Sequence, residues 1–150
     1  MQATLSPHAT LTLDEANTIA GAACAEARRL GLAPICVAVL DAAGTTKAIQ
    51  TEDSIALMRP QIATAKAWGC LGMGFSTRTF TAMAKTDGMG PLFQTFTGLA
   101  DNRIIPSPGG VLIARDGVLV GSIGVSGDTG PNDELCAVAG VEASGLVAKL

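Results

Sequence analysis

The stretch from Pro106 to Gly130, PSPGGVLIARDGVLVGSIGVSGDTG, constrains this chain more than any other. Two apolar, β-branched runs, Val111 to Arg115 and Val118 to Ser126, flank Asp116-Gly117, a dipeptide whose backbone twist suits a two-residue hairpin. Along and after the second run, glycine recurs at every third position: Gly121, Gly124, Gly127 and Gly130. Glycine weakens a strand, so such a series marks places where another backbone or a ligand comes close. A chain organised around this hairpin builds an antiparallel sheet rather than a doubly wound parallel one.

The flanking sequence supplies the rest of the fold. Thr12-Leu13-Asp14-Glu15 is a capping box, and Leu13, Ala16, Ala20, Ala23, Ala27 and Leu30 follow at helical spacing. Arg28 and Arg29 suit the last turn of that helix, and Gly31 ends it. Ile35 to Asp41 is an apolar strand that Ala42-Ala43-Gly44 turns back into Thr45 to Thr51, a first hairpin. Asp53 or Ser54 is expected to cap a second helix running to about Leu71, with Ile55, Met58, Ile62, Ala65 and Trp68 or Gly69 as its buried stripe. Pro60 either starts that helix or bends it. Short helices are expected at Thr79 to Ala84 and Pro91 to Gly98, with a loop at Asp87 to Pro91 between them and a short fifth strand at Arg103 to Ile105. Pro131 opens the last helix, with Asp133 and Glu134 near its positive end and Ala137, Gly140, Ala143 and Ser144 as a small-residue face. The expectation is one domain over residues 11–150 after a tail of residues 1–10.

Composition narrows the function. The net charge is −3, no basic cluster is longer than Arg28-Arg29, and the aromatics are four Phe and one Trp, so a nucleic-acid footprint is missing. No apolar run approaches ~20 residues, which argues against a membrane span. The first residues lack the basic and apolar regions of a secretory signal, so the expected compartment is the cytoplasm. Cys24, Cys36, Cys70 and Cys136 are scattered through apolar segments and read as small buried hydrophobes, neither a disulfide framework nor a metal site. With 48% hydrophobic and only 15% charged residues, part of the surface is expected to meet another copy of the chain.

Arg59 and Lys66 stand seven apart, two helical turns, and share one face of the second helix with no acid between them. Two cations on one side suit an anion such as a carboxylate or propionate; the plain alternative is a solvated stripe, because Glu52 falls in the same heptad register. Lys66, in an Ala-rich helix, has a second role open to it as a base or amine nucleophile with its pKa lowered by burial. Asp41 and Asp133 are acid/base or hydrogen-bonding candidates, set against plainer work in a turn and at a helix N-terminus. Ser126-Gly127-Asp128-Thr129-Gly130 leads into a helix start, where backbone N–H groups suit an anion. No Gly-Lys-Ser/Thr follows it, and the GxGxxG fingerprint is missing. Gly109-Gly110 offers similar access to the backbone. His8, the only histidine, is either a haem or metal ligand or a plain surface residue, and by itself it assembles no catalytic triad.

Read together, LTLDEANTIAGAACAEARRLG, VAVLDAAG, ATAKAWG and PSPGGVLIARDGVLVGSIGVSGDTGPNDE resemble the GlcG/HbpS family of small domains, also found at the end of some PduO-type corrinoid adenosyltransferases. The resemblance spans about residues 11–145, and GGVLI, VGSIGVSG and Asp133 are its specific part. It implies an α/β (α+β) fold with a central antiparallel five-stranded sheet and helices on both faces, a profilin-like three-layer architecture. It implies homo-oligomers, and haem as the ligand of several relatives. The family-typical positions present are Asp41, Gly44, Lys66, Gly109, Gly110, Gly121, Gly124, Ser126, Gly127 and Asp133. With one histidine and no tyrosine, conventional haem ligands here reduce to His8, a Met, a Cys or a weak oxygen donor. The leading expectation is a binding protein holding haem or an anionic metabolite between the Arg59/Lys66 helix and the glycine-rich strand exit. Arg59, Asp41, Gly109, Gly110, Ser126 and Gly127 are its ligand-binding candidates. The alternative is a cofactor-independent enzyme of isomerase, hydratase or lyase type. There Lys66 or Asp133 moves a proton while Arg59 holds a small carboxylate.

Overall fold

The computed structural model describes residues 10–150; His8 lies outside them. Ten elements follow in order: α1 (Leu13–Arg29), β1 (Cys36–Asp41), β2 (Thr46–Thr51), α2 (Arg59–Met73), α3 (Thr77–Ala84), α4 (Gly90–Leu99), β3 (Gly110–Arg115), β4 (Val118–Ser126), α5 (Gly130–Ala143) and β5 (Val147–Lys149). The strands form one sheet in the order β2-β1-β4-β3-β5, and every neighbouring pair is antiparallel. Asp116 and Gly117 take φ of 50° and 79°, the two left-handed residues a tight hairpin turn requires. The Thr12/Glu15 capping box at the head of α1 is formed on both sides.

All six residues of β1 are buried, because both faces of the sheet are covered. Val37 and Val39 join Ile123, Val125, Ile19, Ala23, Ala137 and Val141 in the core under α1 and α5. The alternate residues Cys36, Ala38 and Leu40 pack on the other face against Ala63 and Ala67 of α2. A third cluster of Phe80, Phe93, Ala100 and Ile104 joins α3, α4 and the segment after them. This is the three-layer α+β arrangement expected. Burial pushes the Cys70 and Cys136 thiols up to about 12, so both remain inert thiols in apolar surroundings.

Two expectations are corrected. The second helix begins at Arg59, not at an Asp53 or Ser54 cap, and Pro60 lies in its first turn, where a missing N–H costs nothing. Its buried face is Ala63, Ala65, Lys66, Ala67, Gly69 and Cys70, while Met58 is 67% exposed. The reason is contact distance: a Cβ on Gly124 would fall 1.9 Å from the Ala63 carbonyl oxygen. Helix and sheet meet backbone to backbone there, so only small residues fit where α2 crosses Gly124. The fifth strand is β5, which pairs Ile113 with Ala148, not Arg103 to Ile105. That segment follows Asp101 and Asn102, both left-handed, and buries Ile104 in the third cluster. Among the described residues no helix is long and apolar enough to cross a membrane.

Candidate functional site

Lys66 points from α2 into the sheet, its side chain only 2% exposed. Its Nζ donates to the Pro108 carbonyl at 2.8 Å, the Val125 carbonyl at 2.9 Å and Asp133 Oδ2 at 3.0 Å. Three protons meet three acceptors, which satisfies an ammonium completely. The other carboxylate oxygen, Asp133 Oδ1, accepts the Asp128 N–H at 3.0 Å. Burial pulls the Lys66 pKa below its ordinary range, with Asp133 pulling back; burial raises Asp133, with Lys66 opposing. Each partner thus offsets part of what burial costs the other. It clips together α2, the segment before β3, the end of β4 and the first turns of α5.

Gly109 makes the clip possible. Its φ is +122°, and a Cβ there would lie 2.9 Å from Lys66 Nζ and 2.9 Å from Asp133 Cβ. Gly110 next to it donates its N–H to Thr77 Oγ1 at 2.8 Å, which ties in α3. On the far side of Asp133, the buried Glu134 pairs with Arg78.

Arg59, one helical face with Lys66, behaves differently. It is half-buried, and its Nη1 reaches the Ser126 hydroxyl at 3.3 Å. Among the described residues it has no carboxylate within ion-pair distance. Next to it in the chain, Leu57 and the α2 residues Pro60, Gln61, Thr64 and Ala65 line, with Arg103, an open groove of about 470 Å³. The Arg103 guanidinium lies 3.5 Å above the Trp68 ring. Its nearest carboxylate, the exposed Asp101, is 3.8 Å away.

Of the residues singled out in the sequence, the structure gathers Arg59, Lys66, Gly109, Gly110, Ser126 and Asp133 in one region. Gly127 adjoins them, close against the Pro34 backbone. Asp41 is not among them. Ser126 pairs with Cys36 and Gly121 with Asp41, so Asp41 sits five residues along the strand, roughly 17 Å away. Its Oδ1 accepts the Ala43 and Thr45 N–H groups at 3.0 Å each and closes the first hairpin. Glu52, which suggested a solvated stripe, lies outside α2 and pairs with Arg28. Thr77 carried no motif, Arg103 fell in a supposed strand, and Trp68 was read only within ATAKAWG and a buried stripe; the Trp68–Arg103 stack is visible only in three dimensions.

A three-layer α+β domain whose central strands are pinned to a helix by a buried lysine–aspartate clip is the class that these features define. Residues 11–142 match the family model described as haem degrading protein HbpS-like, and the chain belongs to that family. Among curated relatives, it is 25% identical over 131 residues to the corrinoid adenosyltransferase PduO of Citrobacter freundii and 24% identical over 123 residues to that of Salmonella typhimurium. Those alignments cover 87% and 82% of this chain but only 38% and 35% of the relatives, so the chain spans little more than a third of their length. Among solved structures, the PduOC:heme complex superposes with a TM-score of 0.83 at 23% identity, covering 94% of this chain and 99% of that one. A double mutant of Streptomyces reticuli HbpS superposes with a TM-score of 0.74 at 26% identity, covering 95% and 88%.

Proposed function

We propose that this protein binds haem, or a planar anion of similar build, in the groove along α2. One observation carries the reading: Arg103, held in no close ion pair, lines an apolar groove of about 470 Å³, and Arg59, next in sequence to the lining residue Pro60, has a hydroxyl partner but no carboxylate within ion-pair distance among the described residues. Ligand sites are commonly apolar hollows of about 300–1,000 Å³ with a few placed polar groups. The propionates of a porphyrin suit the two guanidiniums, which bind carboxylates through paired N–H donors. Its ring suits Leu57, Pro60 and Ala65. The haem-bound relative PduOC supports the reading at the level of the family fold.

The fit to iron is more specific. Among the described residues the groove lining offers no imidazole, thiolate or phenolate; Thr64 and Gln61 bring oxygen, and the adjoining Met58 a thioether. Thr64 already donates its hydroxyl proton to the Pro60 carbonyl at 2.9 Å, which leaves its oxygen lone pairs as the donor. When bound, haem supplies redox and ligand-binding chemistry at iron. This chain's own residues would hold the carboxylates, exclude water through Leu57, Pro60 and Ala65, and offer only weak oxygen or thioether donors to the iron. Leu57 and Met58, 89% and 67% exposed, form the apolar surface that a second copy of the chain covers, closing the groove in a homo-oligomer. Lys66 and Asp133 hold the wall in place; all three ammonium protons are already committed to the fold.

Haemin titration followed in the visible spectrum tests this. The expected result is a saturable Soret shift at micromolar protein, of the high-spin type that weak axial donors give. Arg59→Ala is expected to weaken binding about tenfold, the worth of one charge-assisted hydrogen bond. A Soret band that stays at the free-haemin position overturns the reading.

A further inference from the structure

Trp68 lines one hollow and carries on its ring the arginine that lines another. Arg103 stacks on its ring and lines the α2 groove, while the ring itself also lines a second, smaller cavity of about 200 Å³ with Gly72, Met73, Phe96, Leu99, Ala100 and Ile104. We infer that this second cavity is a binding site for a small aromatic or short-chain aliphatic carboxylate. The apolar body fills the hollow and the carboxylate meets Arg103.

Three observations support it. The lining is built from apolar side chains of α2, α4 and the following segment, and its size is right: an apolar cavity of about 150 Å³ already takes benzene. Gly72 keeps the space open, because a Cβ there would sit 3.0 Å from the Trp68 ring. A cation is also anchored on two of the lining residues, Trp68 and Ala100. Arg103 Nε donates to the carbonyl of Ala100, itself a lining residue, at 3.0 Å. Asp101 and Asn102, both left-handed, turn the chain back so that Arg103 lands over Trp68. That leaves both terminal guanidinium nitrogens without a close carboxylate, since Asp101 stands 3.8 Å off and is 88% exposed. An apolar hollow with one such cation held on its lining residues selects an apolar acid over a neutral hydrophobe or a fully hydrated anion. The site shares Arg103 with the proposed groove but does not depend on it.

Trp68 is the only tryptophan, so its fluorescence reports the hollow directly. Titrating the full chain with benzoate is expected to give a saturable change. Acetate, which has the charge without the body, gives none, and benzyl alcohol, which has the ring without the charge, binds about tenfold more weakly. Gly72→Leu fills the hollow and abolishes the benzoate response while leaving the haemin titration as in the wild type. Ala100→Leu fills it from the opposite wall if the first variant misfolds by circular dichroism. Arg103→Met weakens benzoate binding about tenfold. A flat wild-type titration, or the same response in a folded variant with the hollow filled, overturns the inference. So does Leu99→Asp dissociating a dimer in sedimentation, which would make a second copy the occupant of the hollow. Failure here with an intact Soret shift leaves the haem reading standing, and the reverse result leaves this one.

Discussion

Lys66 and Arg59 share one helix face, yet they occupy opposite electrostatic situations. Lys66 has three acceptors for three protons and 2% exposure. Arg59 has one hydroxyl partner and is only partly buried. A cation whose donors are all used is part of the scaffold. A cation that the fold positions but leaves unpaired is free to recognise a ligand. Two turns of helix separate the two conditions: α2 lies backbone to backbone on the glycine-lined strand at Ala63 and Ala67, and at its N-terminus it touches the strand's end through the Arg59 side chain on Ser126.

The sharpest way to break the comparison is Lys66→Met. It keeps the volume but leaves Asp133 and two carbonyls buried without their donor, and is expected to cost about 3–5 kcal/mol. A urea unfolding midpoint measures it. Adding Asp133→Leu to that variant is expected to recover part of the loss; no recovery would mean that the pair does more than balance itself. Gly109→Ala comes next. Its left-handed backbone and the overlap with Lys66 Nζ predict a loss of about 1–3 kcal/mol, read from the same unfolding curve. Arg59→Ala stands at the other pole: stability within about 0.5 kcal/mol of the wild type, with the ligand affinity reduced as above. An Arg59→Ala protein as unstable as Lys66→Met would erase the distinction.

The smallest effect is on pH. Hydrogen bonds from Asn132, Thr129 and Ala33 hold Asp128 down to about 2 from the usual 3.8. A depressed carboxylate lends stability that is whole above its unfolded pKa and is lost as pH falls through the folded one. The Asp128 contribution is therefore expected to fade between about pH 4 and 2, and Asp128→Asn is expected to flatten that limb of a pH–stability curve. The backbone N–H that Asp128 gives to Asp133 is kept in Asp128→Asn, so the change reports the side chain alone.

Much of this was legible in the chain itself. The capping box, the Asp116-Gly117 turn and the alternating runs are local signals, and they give α1 and both hairpins. Lys66 and Asp133 stood out as chemistry-bearing residues, but their pairing joins positions 67 apart and no spacing rule reaches that far. The start of α2 depended on Pro60, whose preference for a first turn outweighed the polar residues before it. β5 is three residues long and carries too little pattern to show. Asp41 looked like a site residue because acids at strand ends often are; only the register reveals that it belongs to the other end of the sheet.

The central claim is that the open arginines, not the buried clip, recognise the ligand. Haemin titration of an Arg59→Ala/Arg103→Ala double variant beside the wild type tests it most directly. The account predicts a saturable Soret shift in the wild type and at least about tenfold weaker binding in the double variant, with unchanged circular dichroism and unfolding midpoint. Equal affinity in the two proteins would contradict it.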